Sequence, residues 1–222
     1  MDMPAEALRA IGETARAVLA QAFTAREQAL TLCREVVHHA ALAIRAAHRG
    51  QYPEARRLLE EARERLRKVE DLLRPHPSLY YAGFVEDAQK EVAEASLLLA
   101  LLQGEPLPDF SSLGIGVLPY LQGLGEVAGE LRRAVLEALR RGEVERATAL
   151  LEAMDAIYTL LLTMDFPDGM TGGLRRTTDM VRGVVERTHG DVALAHRMYS
   201  LERRLALAEG KGEAPPSPRS GE

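Results

Sequence analysis

The sequence predicts an all-α fold: one domain, a bundle of about seven helices, followed by a disordered C-terminal tail. Three observations carry this. Ala, Leu, Glu and Arg dominate the 222 residues, while aromatics are 5% and Trp is absent, which is a helix-forming vocabulary. β-branched and aromatic residues rarely cluster, so few stretches read as strands. Apolar residues recur at three- and four-residue spacing in successive stretches, most of them bounded by Gly or Pro.

The elements follow in order. Leu8, Ile11, Ala15, Val18 and Leu19 predict a short amphipathic helix over about 5–22. Leu30, Leu32, Val36, Val37, Leu42 and Ile44 predict a second over about 25–49, stopped by Gly50. Pro53 suits the first turn of the next helix, about 53–73, whose many Glu and Arg residues at three- and four-residue spacing support it by a few tenths of a kcal/mol per pair. Such a charged run reads first as a solvated helix face and second as a nucleic-acid groove. Pro75 and Pro77 end it. A fourth helix over about 78–103 closes with the apolar run Leu97 to Leu102, so it is buried on most sides. After the Pro106 and Pro108 loop, Leu118, Leu121, Leu124, Val127, Leu131, Val135 and Leu139 mark a fifth over about 116–141. A sixth covers about 143–164, and a last one about 174–208, with a break expected near Gly190. The domain spans 1–208, and the Gly- and Pro-rich stretch 209–222 reads as a disordered tail.

Charge and cysteine narrow the function classes. The formal net charge is −5, which argues against a protein that coats duplex nucleic acid over its whole surface but leaves a local basic groove open. Cys33, the single cysteine, can form no internal disulfide and fits a small core position, which suits a reducing cytoplasm. The N-terminus lacks a signal-peptide pattern, and no uncharged apolar run is long enough to span a membrane. Phosphate-loop, HExxH, GxSxG and paired CxxC signatures are absent.

The feature that stands out is Glu91-Val92-Ala93-Glu94. Spacing of three puts both carboxylates on one helix face, beside a segment expected to be buried. Buried carboxylates that close repel unless a cation or an Arg lies between them. Asp155 and Glu130 sit inside other apolar helix patterns. If three or four of these side chains converge, they make an all-oxygen site suited to Mg²⁺ or Mn²⁺. By itself the pattern reads first as surface charge or Arg-paired structural carboxylates, and only second as a metal site. His38 and His39 are adjacent, point about 100° apart on a helix and suit structural or surface roles. Leu174-Arg175-Arg176 follows a Gly-rich loop, where it suits either a phosphate contact or surface ion pairs.

The segment Pro119-Tyr120-Leu121-Gln122-Gly123-Leu124-Gly125-Glu126-Val127-Ala128-Gly129-Glu130-Leu131-Arg132-Arg133 resembles the D-Y-L-x-G-x-x-[DE]-x-[TA]-[GS]-E-L-x-R segment of the translin family, and Gly142-Glu143 is similar to the Gly-Asp that ends the same family helix. Arg34-Glu35-Val36-Val37 with His48-Arg49-Gly50, and Leu174-Arg175-Arg176 with Asp179, resemble two further family segments, so the likeness runs from about residue 25 to 200. Gln89-Lys90-Glu91-Val92-Ala93-Glu94-Ala95 is similar to the Q-E-x-x-E-A motif of the branch typified by translin-associated factor X, with Lys90 as an added residue. That branch cleaves RNA with a divalent metal, whereas translin itself binds single strands. The basic cluster that follows a Tyr-Tyr pair in translin is replaced here by Ala-Gly-Phe-Val-Glu-Asp after Tyr80-Tyr81.

The resemblance therefore implies a translin-like bundle and a Mg²⁺- or Mn²⁺-dependent endoribonuclease, acting on single-stranded or short RNA, with DNA as an alternative ligand. Glu91, Glu94 and Asp155 are the expected catalytic metal ligands. Glu130 is the expected fourth ligand, or the group that holds a ligand in place. Asp155 stands in Met154-Asp155-Ala156-Ile157-Tyr158, without the aromatic-Asp-Gly pattern of the family. Arg34, Arg45 and Arg176 are candidates for the nucleic-acid backbone. A homo-oligomer located in the cytoplasm is expected. A non-catalytic single-strand-binding oligomer of the same fold is the alternative, and a purely structural helical oligomer a third reading.

Overall fold

The computed structural model describes residues 3–208, and within them the regular structure is entirely helical. Six long helices carry the fold: α1 (Met3–His48), α2 (Tyr52–Leu73), α4 (Phe84–Gln103), α6 (Val117–Arg140), α7 (Val144–Leu162) and α9 (Leu174–Ala208). Three single-turn helices sit in the connections: α3 (Pro77–Tyr80), α5 (Phe110–Leu113) and α8 (Asp168–Thr171). The tail expected from residue 209 lies outside the described residues.

Three boundaries differ from expectation. The first two expected helices are one, α1. The stretch Ala22 to Ala25 holds neither Gly nor Pro, and the Thr24 hydroxyl donates to the Ala20 carbonyl 3.1 Å away, so nothing breaks the chain there. The fourth helix begins at Phe84 rather than 78, because Gly83 takes φ +92° and detaches α3 from α4. α9 passes through Gly190 unbroken.

At 46 residues α1 is about 69 Å long, whereas the 22-residue α2 reaches only about 33 Å. The turn between them places Gly50 at φ +71°, and the Gln51 amide donates back to the Ala46 carbonyl at 2.9 Å. α2 therefore covers only the C-terminal half of α1. There Ala29, Val36, Ala40, Ala43 and Ala46 are buried, while Leu8, Ile11, Val18, Leu19 and Phe23 in the other half stay exposed. α2 keeps one apolar stripe inside, including Leu58, Leu59, Leu66 and Val69, and ties its outer face with pairs such as Arg57–Glu54 at 2.7 Å and Arg67–Glu60 at 2.9 Å.

The layers run from α2 through α1 and α4 to α6, and from α6 to α7 and α9. α4 packs on α1, α2 and α6, which explains why Val92, Ala93, Leu97 and Leu98 are all fully buried. α6 packs on α4 with one face and on α7 and α9 with others. Cys33 lies in this core, and burial, then the charge of Asp87, pushes its thiol up to about 11, an inert small hydrophobe. Among the described residues no helix is long and apolar enough to cross a membrane.

Candidate metal centre

The contact between α4 and α6 creates the site. A Cβ built on Gly123 of α6 would stand 2.7 Å from the Lys90 carbonyl oxygen, 2.8 Å from the Ala93 Cβ and 3.0 Å from the Glu94 nitrogen. Only glycine lets the two backbones approach so closely. Gly125 allows a comparable approach on another face, where a Cβ would meet the Thr177 side chain of α9 at 2.3 Å. With Gly123 seated on the Lys90–Glu94 turn, Glu126 lies one turn further along the same stripe of α6, and Glu130 a turn beyond it.

That register brings three carboxylates together. One oxygen each from Glu91, Glu94 and Glu126 lie within 4.8 Å of one another. Glu94 is only 8% exposed. Burial, reinforced by the charges of Glu126, Glu91 and Glu130, pushes its carboxyl up to about 8. Glu91 is raised as well, chiefly by burial. Lys90 reaches into the group: its Nζ donates to Glu126 Oε1 at 2.8 Å and lies 3.9 Å from Glu91 Oε1. Burial works against the Lys90 charge, but the hydrogen bond and the negative charge around it hold the ammonium above its usual range.

Glu130 borders the group without entering it. His48, near the end of α1, sets its Nε2 2.5 Å from Glu130 Oε2, and Arg133 approaches the same oxygen at 3.8 Å. The His48 hydrogen bond holds Glu130 below the ordinary carboxylate range, against the opposing effect of its burial. His48 also lines an open groove of about 510 Å³ beside Arg49, Gly129 and Arg133. Gln89 braces α4: its side-chain nitrogen donates to the Tyr80 hydroxyl at 3.0 Å, and its oxygen accepts from the Gly116 amide at 3.2 Å.

The structure thus brings together two of the three expected ligands, Glu91 and Glu94, and keeps Glu130 close by. It does not bring Asp155 to them. Asp155 is on α7, whose main neighbours are α6 and α9, and its Oδ1 lies 2.9 Å from His189 Nε2 of α9. Met154 and Ile157 take the inward positions of that turn, and the Asp155 side chain is 42% exposed. Glu126 supplies the third carboxylate. The sequence signal for it was its four-residue spacing from Glu130, inside a segment where Gly123 precedes both by whole turns. Arg34 and Arg45 lie on the exposed side of α1 and Arg176 on that of α9. None of the three is ion-paired among the described residues, in contrast to Arg175, which sits 3.4 Å from Asp165.

No family model matches the chain. An uncharacterised protein of Methanocaldococcus jannaschii is 32% identical to it over 189 residues, covering 84% of this chain and 83% of that protein. Among solved structures, AfC3PO in complex with duplex RNA superposes with a TM-score of 0.78 at 34% identity, covering 84% of this chain and 96% of that one. AfC3PO in a second structure gives 0.77 at 34% identity, over 84% and 97% of the two chains. Apo-NeC3PO shares the fold, with a TM-score of 0.72 at 21% identity over 85% of this chain and 96% of that one.

Proposed function

The chain belongs to the translin family of C3PO-type proteins, and on that premise we propose that it is a divalent-metal-dependent endoribonuclease of the branch typified by translin-associated factor X. The observation that carries the reading is the convergence of Glu91, Glu94 and Glu126 within 4.8 Å. Ligand oxygens of an octahedral Mg²⁺ are about 3 Å apart when adjacent and about 4.2 Å when opposed, so side-chain rotations that draw these oxygens together would let them share one ion. An all-carboxylate donor set suits Mg²⁺ or Mn²⁺ and not a soft metal. The ammonium of Lys90 already sits among these oxygens, so the group draws positive charge.

Bound there, the ion supplies an activated water and offsets charge on a scissile phosphate. The chain does the rest. Glu94, buried and raised to about 8, would hold the ion only in its deprotonated form. Glu130, held ionised by His48, adds negative charge at the edge of the group. Arg49 and Arg133 in the adjoining groove, with the exposed Arg34, Arg45 and Arg176, supply contacts for the phosphodiester backbone. The proposed substrate is single-stranded or short RNA. AfC3PO is solved with duplex RNA, so duplex belongs in the same test. The uncovered apolar stripe of α1 favours a homo-oligomer.

One observation favours a second reading, RNA binding without turnover: Lys90 partly neutralises the carboxylates with no ion present. Labelled single-stranded and duplex RNA incubated with Mn²⁺, Mg²⁺ or chelator separates the two. Cleavage with metal that stops with chelator supports the nuclease. Retention of uncut RNA under all conditions supports the binding protein.

A further inference from the structure

Lys90 is more than a neighbour of the carboxylate group. Its Nζ donates to Glu126 Oε1 at 2.8 Å and stands 3.9 Å from Glu91 Oε1, on a side chain only 22% exposed. Deprotonated together, as a divalent ion requires of its ligands, the three carboxylates carry three negative charges. The ammonium cancels one, leaving what a single divalent ion neutralises. Glu126 comes from α6 whereas Glu91 and Glu94 come from α4, so without a cation their mutual repulsion acts directly across the helix contact that Gly123 makes so close. A cation already in place relieves that repulsion before any metal arrives.

We propose that Lys90 is a resident counter-cation of this site: it holds the carboxylates together in the metal-free protein and competes with the divalent ion for Glu126. The proposal rests on the metal reading above. Glu126, whose Oε1 accepts the Lys90 hydrogen bond, supplies one of the three carboxylates that an entering ion would take. An ion about 2.1 Å from a Glu126 oxygen stands close to the ammonium and is repelled by it. Metal entry therefore weakens or breaks the Lys90–Glu126 pair, and Lys90 sets a threshold for metal affinity. An ordinary interhelical ion pair makes the opposite prediction, because losing it loosens the helix contact and can only weaken metal binding.

The test is calorimetric titration of Mn²⁺ into the full chain and its variants, with melting followed by circular dichroism. Lys90→Met is expected to bind Mn²⁺ about tenfold or more tightly than the parent, and Lys90→Arg within about threefold of it. Without metal, Lys90→Met should melt lower than the parent, with a larger rise on adding Mn²⁺. Lys90→Gln gives the same readout if the Met variant does not fold. Affinity that is unchanged or weaker in folded Lys90→Met or Lys90→Gln overturns the proposal and leaves the metal site standing. If neither the parent nor these variants bind Mn²⁺, the metal reading fails and the proposal with it.

Discussion

Gly123 and Glu94 meet backbone to backbone: a Cβ on Gly123 would lie 3.0 Å from the Glu94 nitrogen. This contact fixes the register of α6 on α4 and so decides which acid of α6 faces Glu91 and Glu94. Gly123→Ala should cost about 1–3 kcal/mol, because the atoms it strikes include backbone that cannot swing aside. It should also weaken Mn²⁺ binding by spreading the carboxylates. Gly129→Ala, with nothing within 4 Å of its Cβ, should hold or raise stability by up to about 1 kcal/mol. Urea denaturation of both variants checks the pair.

Glu126 and Asp155 divide the metal reading. Glu126→Gln should reduce metal-dependent RNA cleavage by about 100-fold or more, because it removes a donor from the group. Asp155→Asn should leave cleavage within about threefold, since Asp155 is bound to His189 at a separate place. Single-turnover cleavage with Mn²⁺ measures both. The reverse order of effects would refute the site as drawn here.

The acid–base behaviour of Glu94 has a definite sign. Its folded carboxyl is raised to about 8, above the 4.5 of the free group, so the folded state holds the proton more tightly. Metal-free stability should therefore fall as pH rises from about 4.5 to about 8, by at most about 1.4 kcal/mol per pH unit from this group. Glu94→Gln should flatten that slope. Mn²⁺ affinity should climb over the same range, with proton release visible as a buffer-dependent heat. Glu130 has the opposite sign: its carboxyl is lowered, so its contribution is present above 4.5 and is lost as pH falls.

Arg49 and Arg133 share a groove with His48. Substituting either with Gln should weaken RNA binding across sequences alike, and should reduce the slope of log K against log salt by about one. Fluorescence anisotropy at several salt concentrations reads this. Binding should be measured with metal-site variants that do not cut.

The exposed stripe of α1 should mediate self-association. Leu19→Glu with Phe23→Glu should shift the protein to a smaller species in light scattering while leaving its helical signal unchanged. Both side chains lie on the part of α1 that the rest of the chain leaves uncovered, so the fold itself should tolerate the change.

Local sequence determined a good deal. Three- and four-residue apolar spacing placed the long helices. Gly50, Pro75 and Gly142 marked helix ends, because a left-handed residue ends a helix and a proline beyond the first turn cannot continue one. The shared face of Glu91 and Glu94 followed from helix geometry alone. The apolar spacing divided α1 in two, although the lack of any breaker between Ala22 and Ala25 carried the signal for one continuous helix. Partner choice across helices was not. Asp155 and Glu126 are both acids set in apolar helix patterns, and nothing within either helix says which neighbour it will face. The close approach at Gly123, between segments about thirty residues apart, selected Glu126 and pulled Lys90 in beside it. Helix formation depends on contacts a few residues apart, whereas the site depends on how ridges and gaps of separate helices interlock, and only the folded packing resolves that.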